Sequence, residues 1–186
     1  MVAVSLKKKS GVQRVTVDKY ISQSYAVIAA SVAQSQAFWR LRESISAAEK
    51  ASGPAMQHDI AVPVDAMPDF MTETARRIEA EFPGVTASAF GHLGDGNVHF
   101  HVRAPHDSDP ETWRAGEGKC ASDRVYDLVT AINGSISAEH GIGQMKRGEL
   151  ARLADPVHLA ILRSVKHALD PHGLLNPGKL VPLDAD

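Results

Sequence analysis

The stretch Phe90-Gly91-His92-Leu93-Gly94-Asp95-Gly96-Asn97-Val98-His99-Phe100-His101 constrains the fold more than any other part of the chain. Asp-Gly between two alternating runs favours a β-hairpin closed by a two-residue turn. With Asp95-Gly96 as that turn, residue 94 pairs with 97, 93 with 98, and His92 lies opposite His99. Strand side chains alternate between faces. Val98, Phe100 and Val102 therefore form an apolar face, and His92, His99 and His101 share the other. Directly opposed residues hold their Cβ atoms about 4.5–5.5 Å apart, close enough for two imidazoles to bind one divalent metal. The same histidines read alternatively as the solvated side of an amphipathic sheet.

A third donor bears on that choice. Glu139 follows a short strand-like run, Gly134-Ser135-Ile136-Ser137, and opens the Gly-rich loop Glu139-His140-Gly141-Ile142-Gly143. Two imidazoles and a carboxylate make a three-ligand site with open positions for water or substrate. His140 is then held beside whatever the metal binds, where a neutral imidazole serves as a general base. Its alternative role is a loop-stabilising hydrogen bond. Gly141 and Gly143 either admit a ligand close to the backbone or only permit an unusual turn.

The rest of the pattern supplies the frame. Residues 24–51 lack proline and are rich in Ala, Gln, Ser and Leu, which predicts a helix whose apolar contact comes from Trp39, Leu41 and Ile45. Pro54 ends it, and residues 58–64 alternate as a short strand that Pro63 marks as ending or lying at a sheet edge. A helix opens at Asp65 or Pro68 and runs through Phe82, with Phe70, Met71, Ala75, Ile78 and Phe82 on one face. Strands 85–90 and 97–102 flank the turn. A helix from Asp109 or Pro110 to about residue 132 has a break point at Gly116-Glu117-Gly118, and helices over 145–153 and 157–169 follow. Asp170-Pro171-His172-Gly173 stops the last. Helices alternating with short strands around a hairpin predict an α+β fold, an antiparallel sheet with helices packed on one face. Residues 1–20 read as a tail or irregular lead-in, and 21–186 as one domain.

A chain of 186 residues, 44% apolar and with a formal charge of -2, buries one core and gives no electrostatic case for nucleic acid or an anionic membrane. The basic run Lys7-Lys8-Lys9 fits a solvated tail. The apolar run over residues 25–33 is too short to span a bilayer about 30 Å thick, so no membrane span is expected. The one cysteine, Cys120, has no disulfide partner and no secretory leader is visible, which together predict a reducing, cytoplasmic setting.

Three segments, Gly91 to His99, Ser137-Ala138-Glu139-His140-Gly141-Ile142-Gly143 and His172-Gly173-Leu174-Leu175-Asn176-Pro177-Gly178-Lys179, together resemble the C-terminal domain of FAD-linked oxidases. That family includes D-lactate dehydrogenases, D-2-hydroxyglutarate dehydrogenases and the glycolate oxidase flavoprotein subunit. The resemblance covers residues 26–180 approximately. It implies a ferredoxin-like cap domain that binds a small 2-hydroxy acid, with His92, His99 and Glu139 as ligands of zinc or manganese. It implies His140 as the base that takes the substrate hydroxyl proton while hydride leaves for FAD. Trp39-Arg40-Leu41-Arg42-Glu43 resembles a segment whose second arginine clamps the substrate carboxylate, which assigns Arg42 a bidentate role, and Ser46 stands one turn later. The resemblance puts Asn176 and Lys179 on the cofactor side, although physics alone makes that segment a surface turn.

Two departures weigh against a dicarboxylate substrate. His101, a candidate substrate contact, replaces the family's usual asparagine, and Gln57 stands where some members carry a lysine. No stretch of the sequence matches the FAD-binding domain, roughly 200 residues in the family, which is an independent folding unit at that size. The expected partners are therefore a separate FAD-binding subunit and, across exposed sheet edges, a second copy in a homodimer. A truncated metal- or ligand-binding module without redox activity is the alternative, and a metal-dependent hydrolase is a third reading.

Overall fold

The computed structural model describes residues 3–5 and 29–181. Its elements are β1 (Ala3–Ser5), α1 (Val32–Ala51), β2 (Ala55–Ala61), α2 (Met67–Glu81), β3 (Thr86–His92), β4 (Asn97–Arg103), α3 (Pro110–Ala115), α4 (Glu117–Ala131), α5 (Arg147–Leu153) and α6 (Pro156–Leu169). The expected α+β architecture is present. Four strands lie in the order β1-β3-β4-β2. The β2–β4 and β3–β4 pairs are antiparallel, while β1 runs parallel to β3. Ala3–Ser5 is thus a strand within the expected lead-in; the rest of residues 1–20, and positions 24–28 of the expected first helix, lie outside the described residues.

Alternation along the central strand organises the core. Val98, Phe100 and Val102 are fully buried, against Phe70, Met71 and Ile78 of α2 and Ala121, Val125 and Val129 of α4. Each fully buried side chain of this size contributes roughly 1.5–3 kcal/mol of transfer free energy, so these two helices fix which face of the sheet is dry. The predicted break separates α3 from α4 at Gly116, which belongs to neither helix. Among the described residues no helix is long and apolar enough to cross a membrane.

Three expectations are corrected. The hairpin is not closed by a two-residue turn: His92 pairs with Asn97, Gly91 with Val98 and Phe90 with His99, leaving residues 93–96 as the connection. The cause is tertiary. Leu93, counted as a strand residue, is buried in the core, and Gly96 is pinned where its carbonyl accepts from Val62 N at 2.9 Å. Gly96 has φ +72°, and a Cβ there would lie 2.1 Å from Val62 O, so the contact requires glycine. Residues 134–137 form no strand but a single antiparallel bridge, Ser135 to Ala61. Helix α1 contributes no buried residue; of its three expected apolar contacts Trp39 and Leu41 are exposed and Ile45 is partly covered.

One polar side chain is built into the apolar layer. His58 of β2 is 1% exposed, between the carbonyl of Phe100 and the hydroxyl of Ser122 on α4. A carbonyl only accepts, so Nδ1–H donates to Phe100 O at 2.8 Å and Nε2 accepts from Ser122 Oγ at 2.9 Å, a neutral imidazole. Burial pushes its pKa down to about 4, against the Phe100 carbonyl, which favours the charged form. The unfolded chain binds this proton more readily, so the stabilisation is complete above the unfolded pKa near 6.5 and is lost as pH falls towards 4. Chemical denaturation between about pH 7 and pH 5 is expected to reveal a loss of about 2 kcal/mol, most of it absent in His58→Gln. Equal slopes in the two proteins would rule His58 out as the source.

Candidate functional site

The strand face opposite the core carries His92 on β3, His99 and His101 on β4, and Gln57 and Asp59 on β2. The two-residue register shift leaves this face unchanged, because side chains alternate with period two. Its consequence is that His92 is diagonal to His99; the residues flanking His99 are Phe90 on one side and Asp59 on the other. The Phe90 ring lies 5.1 Å from the His99 ring. Burial lowers the His99 pKa, against the raising influence of Asp59 and Glu139, which keeps the imidazole neutral and able to ligate a metal.

Asp59 was not anticipated from sequence, and it holds the site together. It is 5% exposed, and its Oδ2 accepts from the backbone N–H groups of both Glu139 and His140 at 2.9 Å. Its carbonyl accepts from Ala138 N at 3.3 Å and Lys146 Nζ at 3.0 Å. Burial alone would raise its pKa, but the N–H groups of His140 and Glu139, with the charges of His140 and Lys146, outweigh burial and lower it. The loop that follows the Ser135 bridge is therefore folded onto an ionised carboxylate. The available signal was an aspartate inside a strand, where that residue is depleted; pairing it with His99 required the sheet order.

Around this carboxylate the chain gathers Asp59, His99 and Glu139, with one ligand-capable atom from each lying within 4.8 Å of the others. His92 stands at the edge of the group, its Nδ1 4.0 Å from both Glu139 Oε1 and Asp95 Oδ2. Its Nε2 is engaged by the guanidinium of Arg42, the side chain through which α1 reaches the site. Asn97 donates from Nδ2 to Glu139 Oε1 and keeps a buried Oδ1 without a partner. His140 is exposed, with Nδ1 3.6 Å from Asp59 Oδ2. Imidazole and carboxylate donors at this spacing suit zinc, or a harder divalent ion such as manganese if oxygen ligands dominate.

The remaining candidates divide. The turn carrying Asn176 and Lys179 meets the Glu139–His140 loop: Leu180 N donates to Gly143 O at 2.9 Å, and Lys179 Nζ bonds Gln144 Oε1. Asn176 is exposed on that turn with φ 47°. Ser46 is exposed one turn beyond Arg42. His101 is buried, and its Nδ1 donates to Glu49 of α1 at 3.1 Å. Glu49 also accepts from Ser88 Oγ at 2.9 Å and Arg103 at 2.8 Å. Desolvation would raise the Glu49 pKa, but these three partners lower it.

A family model described as "FAD linked oxidases, C-terminal domain" matches residues 7–180. The chain belongs to this family. It is 40% identical over 161 residues to a D-2-hydroxyglutarate dehydrogenase of Xanthomonas citri pv. viticola, covering 84% of this chain and 33% of that protein. It is 35% identical over 159 residues to a mitochondrial D-2-hydroxyglutarate dehydrogenase of Arabidopsis thaliana, covering 86% and 27%. An uncharacterized FAD-linked oxidoreductase of Mycobacterium tuberculosis is 36% identical over 162 residues, covering 87% and 31%. The chain thus spans about a third of the length of these relatives.

Because Glu49 is the main fastening of α1 to the sheet, Glu49→Ala strands Arg103 and His101 without their acceptor. Loss of a hydrogen-bonded charge in a half-buried position costs about 1–3 kcal/mol. The expected result is a lower melting temperature together with faster proteolysis within α1. Unchanged values of both would show that α1 is held some other way.

Proposed function

We propose that this domain is the substrate- and metal-binding part of an FAD-dependent oxidoreductase that converts a D-2-hydroxy acid to the 2-oxo acid. The observation that carries the reading is the convergence of His99, Glu139 and Asp59, with His140 on the same loop and Arg42 arriving from α1. A divalent cation held by His99 and Glu139, with His92 at its edge, would favour ionisation of a bound hydroxyl. FAD, when present, supplies the hydride acceptor.

The chain's own groups account for the rest. Arg42 presents a planar guanidinium suited to a substrate carboxylate. Its present partner is the His92 ring, not a carboxylate. His140 is exposed enough to meet substrate and to take its hydroxyl proton, and Asp59, 3.6 Å from its Nδ1, orients the ring. In this reading Lys179 and Asn176 lie on the cofactor side, on the turn bonded to the catalytic loop. The exposed apolar stripe of α6, comprising Val157, Ile161, Val165 and Leu169, supports a flavin-binding polypeptide seated there, since this domain covers only 33% and 27% of the Xanthomonas and Arabidopsis relatives.

Equilibrium dialysis with zinc and with manganese is expected to give saturable binding that His99→Ala and Glu139→Ala abolish. With a flavin-binding domain supplied, His140→Ala should lose on the order of 10²–10⁴ in dye reduction with D-lactate or D-2-hydroxyglutarate while metal binding persists. Metal binding without turnover, even with flavin present, would favour a module that has no redox activity.

A second measurement concerns the flavin itself. Purified chain mixed with FAD and passed through gel filtration is expected to retain no visible flavin band. A stoichiometric band would mean that this domain binds FAD unaided.

A further inference from the structure

Resting on the metal site proposed above, we infer that Asp59 is itself a metal ligand, through the oxygen its loop contacts leave over. The two carboxylate oxygens have different surroundings. Oδ2 is spent on the N–H groups of Glu139 and His140. Oδ1 is fully shielded from solvent and has no hydrogen-bond partner. A buried carboxylate oxygen without a donor is costly, so it calls for a compensating cation.

The neighbouring Lys146 favours the ionised carboxylate by its charge but donates no hydrogen bond to Oδ1. Lys146 has three N–H donors, and they go to Asp59 O at 3.0 Å, Ile136 O at 2.8 Å and Ser137 Oγ at 3.2 Å. What remains beside Asp59 is its cross-strand partner His99, together with Glu139, both with ligand atoms within 4.8 Å of an Asp59 oxygen. Neither side chain donates a hydrogen bond to Asp59 Oδ1, and both present ligand atoms beside it. A divalent ion among the three satisfies Asp59 Oδ1 and gives a mixed N/O donor set of ordinary composition. Asp59 then does two jobs: Oδ2 folds the Glu139–His140 loop, and Oδ1 binds the ion which that loop also binds.

The two jobs are separable by chemistry. In Asp59→Asn the amide oxygen takes the place of Oδ2 and still accepts from both N–H groups, while the NH2 group stands where Oδ1 was and cannot ligate. The variant is expected to keep the thermal stability of the metal-free wild type and to bind Co(II), used as the probe ion, on the order of 100-fold more weakly. Asp59→Cys tests contact directly, because a thiolate bound to cobalt produces an intense charge-transfer absorption that a residue merely near the ion does not. Appearance of that band, with the weakened Asn variant, supports the assignment. Wild-type Co(II) affinity in Asp59→Asn, or a folded Asp59→Cys with bound cobalt and no thiolate band, overturns it. His99→Ala separates this from failure of the site as a whole: if wild type binds no Co(II), or His99→Ala binds it as tightly, the metal site itself is refuted and Asp59 with it. If His99→Ala loses the ion and the Asp59 variants do not, only the role of Asp59 is refuted.

Discussion

The alternation of β4 is the constraint from which the other features follow. Val98, Phe100 and Val102 are completely buried against two helices, and a strand that commits three side chains to one face commits the intervening ones to the other. Asn97, His99 and His101 are therefore presented together whatever the turn does. Burial of the apolar set costs nothing in chemistry. It also decides that β2, pairing with β4, must place Asp59 beside His99 and His58 beside Phe100. The same strand thus sets a neutral, core-bound histidine and an ionised, site-bound aspartate one residue apart, facing opposite ways.

This alternation also explains which parts of the molecule were legible in the sequence. The histidine face was readable because a period of two survives a register slip of two. The register was not, since Asp95-Gly96 carries only a local preference for a two-residue turn, whereas Leu93 and Gly96 answer to the core and to Val62. Helix positions came through to within a few residues where an apolar stripe marked them, as in α2. Helix α1 was legible as a helix but not in its packing, because its propensity is local while its attachment uses Glu49 and Arg42 rather than Trp39 and Leu41. Asp59 was missed for the same reason that makes it effective: its partners are 40 and 80 or 81 positions away along the chain.

The three motifs that pointed to a family in the sequence are one region in space. The hairpin brings His92 and His99, the Glu139–His140 loop is bonded to Asp59, and the Lys179 turn is bonded to Gly143 and Gln144. Family membership adds the context that relatives of this domain carry further chain, and α6 leaves Val157, Ile161, Val165 and Leu169 exposed.

Helix α1 deserves a mechanical description. It is gripped at its C-terminal end, where Glu49 meets Ser88, His101 and Arg103, and Arg42 lies two turns earlier, about 10 Å along the axis at 1.5 Å per residue. The helix is in effect a lever whose fulcrum is a half-sheltered cluster of charges and whose working tip is a guanidinium. A small rotation at the fulcrum is magnified at the tip, so the reach of Arg42 over the site depends on how Glu49 is seated as well as on its own contact with His92.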